Sequence, residues 1–325
     1  MVKNVLILTD ALDAHAPPVI EEIRRRGATT HCFDLADFPE RVRLQAHPPA
    51  QGTLQYQDQT IKLEALTSIW WRRPHRYKAP EWYEPGLQEF LERETYRGFI
   101  GVLESSPALW VSRTTNIRRA ELKALQLATA QKMGLRVPRT LITNDPEAVR
   151  AFSETCQGKI IVKPIARGII EGKCPEKFLF TNVVQEHHLE PSILEGVRST
   201  AHLFQEMVAK ELELRVVVIG RHIFAVEIHS QQSERTRLDW RRWYPDLSYG
   251  IHHLPASIEN RLFQLVLYFD LQYASMDLIL TPDGDYVWLE LNPNGQFYWL
   301  QREVPHLHLK EAMADLLTSP EEYCL

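Results

Sequence analysis

Val5-Leu6-Ile7-Leu8 is an unbroken apolar run, the pattern of a strand buried on both faces. After a polar loop, the spacing predicts a helix opening near Pro17-Pro18, with Ile20 and Ile23 on one side and Gly27 at its end. Thr30–Phe33 reads as the next strand, so the chain starts β-α-β, without the glycine-rich turn of a dinucleotide-binding fold. Thr53–Gln57 and Thr60–Leu63 flank Asp58-Gln59 as a small hairpin, and Ser68-Ile69-Trp70-Trp71 predicts a strand ending at Arg72-Arg73-Pro74. These elements form an expected first α/β domain over residues 1–115. Asn116 is placed to cap a helix running to about Met133, closed by Gly134 and followed by Pro138. Short strands are expected at Lys159–Lys163, Phe178–Thr181, Leu203–Val208, Leu214–Ile219 and His222–Ile228. An amphipathic helix over Ile258–Leu271, two last strands and a short helix around Leu309–Leu317 complete the chain.

The two last strands carry the strongest local pattern. Met276-Asp277-Leu278-Ile279-Leu280-Thr281 and Tyr286-Val287-Trp288-Leu289-Glu290-Leu291-Asn292 flank Pro282-Asp283-Gly284-Asp285. Asp-Gly between apolar runs is the preferred two-residue hairpin turn. With Asp283-Gly284 as that turn, Pro282 pairs with Asp285 and Asp277 lies across from Glu290. Period-two alternation puts Asn292 on the Glu290 face and Leu278, Leu280, Val287, Leu289 and Leu291 on the other. Opposed carboxylates stand roughly 5 Å apart at Cβ and repel each other. Either one proton is shared, raising one pKa, or a cation lies between them. Two carboxylates and an amide oxygen suit magnesium held partly by phosphate.

Composition narrows the setting. With 325 residues, 44% hydrophobic and 24% charged, the chain is an ordinary folded protein of two or three subdomains. A net charge of −5 gives no reason to recruit nucleic acid or an anionic membrane. No apolar run is long enough to span a bilayer, and the apolar start is too short for a secretion signal. Cys32, Cys156, Cys174 and Cys324 have no paired spacing, which argues against a disulfide framework or zinc site and favours a reducing cytoplasm. His187-His188, His252-His253 and the His306/His308 pair likewise have no metal-binding helical spacing. Trp70-Trp71-Arg72-Arg73-Pro74-His75-Arg76 has the stacking and charge of a single-strand clamp, but it is one stretch in an acidic chain.

A magnesium site of this kind needs phosphate and basic residues. Lys123 falls within the expected Asn116 helix, and Lys163 ends the apolar strand Ile160-Ile161-Val162-Lys163. Glu213 and Arg215 share one face of a strand. Each is also compatible with an ordinary surface or core position.

In order along the chain, these pieces resemble the ATP-grasp ligases. The resemblance implies an α/β ATP-grasp fold: an N-terminal α/β pre-ATP-grasp domain (1–115), a central α+β subdomain (116–205) and a C-terminal α+β subdomain (206–325). It implies ATP and Mg2+ as cofactors. Lys123 and Lys163 match the family's phosphate lysines, and Phe204-Gln205-Glu206-Met207-Val208 its adenine hinge, with Glu206, Met207 and Val208 on the base. Glu213 matches the ribose acid, Arg215 the arginine near the transferred phosphoryl group, and Asp277, Glu290 and Asn292 the metal ligands. The segment Pro164 to Gly172 stands where the family has a glycine-rich lid, with two glycines of its own.

Leu291-Asn292-Pro293-Asn294-Gly295-Gln296-Phe297-Tyr298-Trp299-Leu300 resembles the graspetide (microviridin-type) macrocyclases within that superfamily. Trp70 to Pro74, Glu227 to Gln231 and Asp239-Trp240-Arg241 resemble the same branch. This implies ATP-dependent closure of side-chain rings in a ribosomally made precursor peptide. Asp or Glu side chains would be activated as acyl phosphates, then joined to Thr/Ser hydroxyls or Lys amines. Arg215 and Arg241 would stabilise the phosphoryl group, and Asp239 would position the nucleophile, act as base or anchor its loop. Arg72, Arg73 and Asn294 would bind the acidic substrate side chain. A precursor leader docking over Thr181-Asn182 to Glu195, and a homodimer, are further implications. Two other readings stay open here: ligation of a free amino acid to a small molecule or protein C-terminus, and a non-catalytic ATP-binding regulator.

Overall fold

The computed structural model describes residues 3–47, 51–166, 168–170 and 177–325. The first sheet is wholly parallel, in the order Thr29–Phe33, Asn4–Thr9, Ser68–Arg73, Leu109–Val111. Val5 to Leu8 are fully buried because the sheet is covered on both sides. Val5 and Ile7 pack on helix Ala16–Arg25 and on the C-terminal helix Leu309–Thr318, while Leu6 and Leu8 pack on Leu54, Phe99 and Leu103. Burying each such side chain contributes about 1.5–3 kcal/mol. The Ser68 hydroxyl donates to Leu317 O at 2.6 Å, tying the end of the chain to its start.

Several elements differ from the pattern-based expectation. The small hairpin turns at Gln57-Asp58, one residue earlier, with Gln57 at φ 52°. Helix Pro85–Glu104 has no strong sequence signal because its buried residues are only Phe99, Ile100 and Leu103, all in its last turns. Asn116 caps nothing: it lies inside helix Thr114–Ala120 and its amide donates to the Asp270 carbonyl and carboxylate at 2.9 and 2.8 Å. The chain then breaks at the extended Leu122 and restarts as helix Lys123–Lys132, so Lys123 opens a helix instead of lying within one.

The central sheet is antiparallel, in the order Asn182–Val183, Ile160–Lys163, His202–Glu206, Thr140–Thr143, with helix Pro146–Thr155 packed through Val149 on Ile160 and Phe204. The strand expected over Phe178–Thr181 is only Lys177–Phe178, paired with Ile169–Ile170. Arg167, Glu171 and Gly172 of the expected lid, and Cys174, lie outside the described residues.

The last sheet has five antiparallel strands, in the order Tyr249–His252, His222–Ile228, Leu212–Ile219, Tyr273–Leu280, Tyr286–Asn292. All eight residues of Leu212–Ile219 are buried. Leu214, Val216 and Val218 face helix Ala256–Tyr268; on the other side Val217 and Ile219 meet the C-terminal helix, leaving Glu213 facing a cleft and Arg215 behind it, bonded to Asp277.

The final hairpin departs from the expected register near its turn. The loop has three residues, Pro282-Asp283-Gly284: Thr281 N–H donates to Asp285 O, and Gly284 adopts φ 84°. Leu280 pairs with Tyr286 and Leu278 with Trp288, then a bulge inserts Leu289 and restores Asp277 opposite Glu290. The bulge places Trp288 in the core with Leu278 and Leu291, and turns Leu289 to the cleft, contrary to strict alternation.

Candidate active site

The cleft lies between the central and last sheets. Its wall includes Ile161, Lys163, Glu206, Met207, Val208, Lys210, Glu213, Asp239, Arg241, Asp277, Ile279, Leu289 and Glu290. Nine of the expected site residues therefore line one space. Lys123 and Arg215 join from behind, each through a carboxylate.

At one end, the last residue of strand His202–Glu206 runs into Met207-Val208. The Glu206 carboxylate is held by Arg139, through Nε at 2.6 Å and the backbone N–H at 3.0 Å. Met207 N–H donates to Lys159 O, so the hinge spans two strands. The Glu206 side chain is thus committed to Arg139. Ile161, Ile279 and Leu289 supply an apolar slot beside the hinge. Glu213 stands further in, its Oε1 accepting from Lys210 at 2.9 Å and from Ser230 at 2.8 Å. Burial pushes its pKa up, and Lys210 opposes this. Lys210 and Ser230 were missed from sequence. Only the Lys210–Glu213 spacing hints at the pair.

At the other end the charges are dense. Lys123 Nζ meets Glu290 Oε2 at 2.5 Å. Arg215 and Asp277 are cross-strand partners, and Arg215 Nη1 reaches both carboxylate oxygens, at 2.8 and 2.9 Å. The Asn292 amide lies between the two acids, 3.2 Å from Glu290 and 3.4 Å from Asp277. Burial alone would push Glu290 up, but Lys123 and Lys163 hold it well below the usual carboxylate range. Burial moves Asp277 the other way, and the Glu290 charge adds to that against the pull of Arg215. Burial also lowers Lys163, reinforced by Lys123 and Arg241 and opposed by Glu290.

Asn292 Nδ2 donates to both carboxylates here; with the amide turned to present Oδ1 instead, the three side chains fit a hard cation that takes its remaining ligands from phosphate and water. Among the described residues no cluster of three or more His, Cys, Asp or Glu side chains is arranged to hold a metal ion.

Asp239 accepts from Arg241 Nε and Nη2 at 2.9 and 2.7 Å, caps the turn Trp240–Arg242, and accepts the Thr181 N–H at 3.2 Å. Burial would raise its pKa; these bonds bring it below the usual value. Its geometry is that of an anchor that aims Arg241 into the cleft and ties this loop to the central sheet.

Arg72 and Arg73 stand elsewhere than a substrate clamp would. Arg72 is 1% exposed; its Nη1 donates to Asn294 O at 2.7 Å and Gly295 O at 3.2 Å, and its Nε lies 3.4 Å from Asp13. Arg73 also donates to Asn294 O. Both arginines grip the backbone of the loop after Asn292, and Arg215 Nη2 donates to Gln296 O in the same loop. A Cβ on Gly295 would lie 2.5 Å from Ser275 Cβ and 3.0 Å from Arg215 Nη2, so only glycine lets the loop come this close. In the aromatic run, Phe297 is core, packed on Trp70, Tyr273 and His15, while Trp299 packs on Trp240.

His15 was not anticipated from sequence. Its Nδ1 accepts the Tyr298 N–H at 3.0 Å, so the first domain caps helix Tyr298–Glu303. Burial, with Arg72, Arg73 and Arg215 nearby, lowers its pKa from 6.5 to about 3. The unfolded chain binds a proton there below about pH 6.5 that the folded chain refuses, so stability falls as pH falls through that window. At pH 5 the expected loss is about 2 kcal/mol relative to neutral pH. Thermal unfolding of His15→Asn should show a shallower loss between pH 7.5 and 5; an unchanged slope would contradict this.

Comparisons with known proteins follow this geometry. A family profile described as the MvdD pre-ATP grasp domain matches residues 4–118. The macrocyclase MdnC of Microcystis aeruginosa MRC, solved bound with precursor peptide MdnA, superposes with a TM-score of 0.85 at 32% identity, over 97% of this chain and 99% of that one. A Chryseobacterium gregarium RiPP-associated ATP-grasp ligase, solved with ADP and a leader and core peptide, gives a TM-score of 0.88 at 28% identity over 97% and 96%. Macrocyclase MdnB of Microcystis aeruginosa MRC gives 0.78 at 32% identity over 98% and 99%. No curated protein matches the sequence.

Proposed function

This chain belongs to the ATP-grasp ligases of the graspetide type and is an ATP-dependent carboxylate ligase, and from that premise we propose that it macrocyclises a ribosomally made precursor peptide. The observation carrying this reading is the cleft itself: an apolar slot beside a backbone hinge at one end, and Lys163, Arg241, Glu290 and Asp277 converging at the other. The precursor and leader peptides bound by the similar enzymes support a peptide as substrate.

In this reading ATP lies along the cleft, its base against Met207-Val208 and its ribose toward Glu213. A substrate Asp or Glu carboxylate attacks the γ-phosphorus, the bond to ADP breaks, and an acyl phosphate forms. Lys123, Lys163, Arg215 and Arg241 balance charge on the transferred group. Asp277, Glu290 and Asn292 would hold magnesium, which when bound would supply further neutralisation of the phosphates. A Thr or Ser hydroxyl, or a Lys amine, then attacks the acyl carbon; phosphate leaves and the nucleophile's proton passes to solvent. Arg72 and Arg73 act by holding the Asn294–Gln296 loop against Arg215. The exposed Ile193, with Phe178 and Leu179 nearby in sequence, supports leader docking on the central subdomain, within the 116–205 division. A homodimer in the cytoplasm completes the proposal; among the described residues no helix is long and apolar enough to cross a membrane.

Incubation with Mg-ATP and a precursor encoded beside the gene tests this by mass. Loss of one water per ring supports macrocyclisation, and mild alkali then separates esters, which open, from amides, which survive. An unchanged peptide, with ADP and free phosphate formed only when a free amino acid is supplied and ligated, would overturn it.

A further inference from the structure

Strand Tyr286–Asn292 is the edge of its sheet, so half of its backbone groups have no neighbouring strand. An edge is free to shift unless something takes up those groups, and this edge carries Glu290 and Asn292. Near the turn the backbone of Arg136 supplies a partner, its carbonyl accepting the Trp288 N–H at 2.8 Å. At the other end no strand is present among the described residues, and a side chain takes its place. Gln126, 1% exposed, accepts the Leu291 N–H on Oε1 at 3.0 Å and donates from Nε2 to the Leu291 carbonyl at 2.8 Å. A carboxamide has the donor and acceptor of a peptide unit, so this pair reproduces a β-bridge with one side chain. The second Nε2 proton goes to the Ala120 carbonyl, which closes the preceding helix at its break.

Leu291 is the residue between Glu290 and Asn292. Gln126 and Lys123 are three apart on helix Lys123–Lys132 and share a face. Lys123 holds the Glu290 carboxylate, and Gln126 holds the next peptide. We infer that Gln126 is a positioning residue for the cation site: it fixes the register and orientation of the Glu290–Asn292 edge so that the Glu290 carboxylate and the Asn292 carboxamide stand beside Asp277. This rests on the magnesium reading above and adds a residue that would touch neither metal nor substrate.

Manganese serves as the probe, titrated by electron paramagnetic resonance into the full-length protein with ADP, with no turnover required. Gln126→Met removes both bonds to Leu291, whereas Gln126→Asn keeps the carboxamide but shortens its reach, and serves if the first variant folds poorly. Outer-shell supports of metal ligands are typically worth 10–100-fold, so manganese affinity should weaken about tenfold or more in the folded variant. The magnesium concentration for half-maximal turnover should rise by a similar factor. A purely structural role would lower the melting temperature without nucleotide and leave the affinity of the folded fraction intact. Manganese binding within about twofold of the unaltered protein would therefore overturn the inference. If the unaltered protein itself retains no manganese, the metal reading fails and this inference with it. Asp285→Ala, which breaks the exposed Arg136–Asp285 pair at the far end of the same edge, should leave the affinity unchanged.

Discussion

Glu290→Gln is expected to lower kcat by roughly 10²–10³-fold while the protein still folds. The substitution keeps the side chain's shape and one carbonyl oxygen, but removes the charge that Lys123 contacts at 2.5 Å and that Lys163 faces across the cleft. Two cations then crowd a place built for an anion between them, and a divalent ion gains even less from entering. The loss should fall on the phosphoryl-transfer step rather than on peptide binding, so the KM for precursor should change little. Rapid-quench measurement of ADP formation checks this: normal ADP release with slow ring closure would show that Glu290 serves a later step. The folded state is monitored by circular dichroism.

Arg215→Met is expected to cost about 3–5 kcal/mol of stability, because it leaves Asp277 in the sheet without its cation. The comparison that isolates this cause is a double variant. Adding Asp277→Asn removes the stranded charge, and much of the lost stability should return. Arg215→Lys retains the charge but has no planar fork to span both Asp277 and Gln296 O. It should fold nearly normally and lose about 10²-fold in kcat. Equal stability losses in the single and double Met variants by urea denaturation would show that the pair is not what holds this part of the sheet.

The acidic hairpin was legible in sequence because alternation is a local property, and two apolar strands around Asp-Gly leave few registers. Its far end was read correctly even though the turn was not. The three-residue loop and the bulge at Leu289 shift the register in opposite senses and cancel by Glu290. The indole of Trp288 accounts for the difference: strict alternation would have turned it to the cleft, and its burial in the core outweighs the irregular backbone. Arg72 and Arg73 show the opposite case. Their charge was visible, but their partners are main-chain carbonyls more than 200 residues away, which no residue type announces. Gln126 and His15 were invisible for the same reason: each completes the hydrogen bonding of a distant backbone. Asn116 was misread as a cap because the helix starts two residues earlier, at Thr114, and its amide goes to the distant Asp270, which no local pattern shows. Helix Pro85–Glu104 was hidden by its own exposure, since Leu87 and Phe90 are half-exposed and mark no buried stripe.

The bulge at Leu289 also makes the last hairpin a slip joint. The loop end and the ligand end are held by different neighbours, Arg136 at one and Gln126 with Lys123 at the other. A one-residue length change in the loop is expected to be taken up between them, leaving Asp277 opposite Glu290. The exposed Asp283-Gly284 tip is therefore the natural place to graft a fluorophore or an affinity tag that reports on the cleft without entering it.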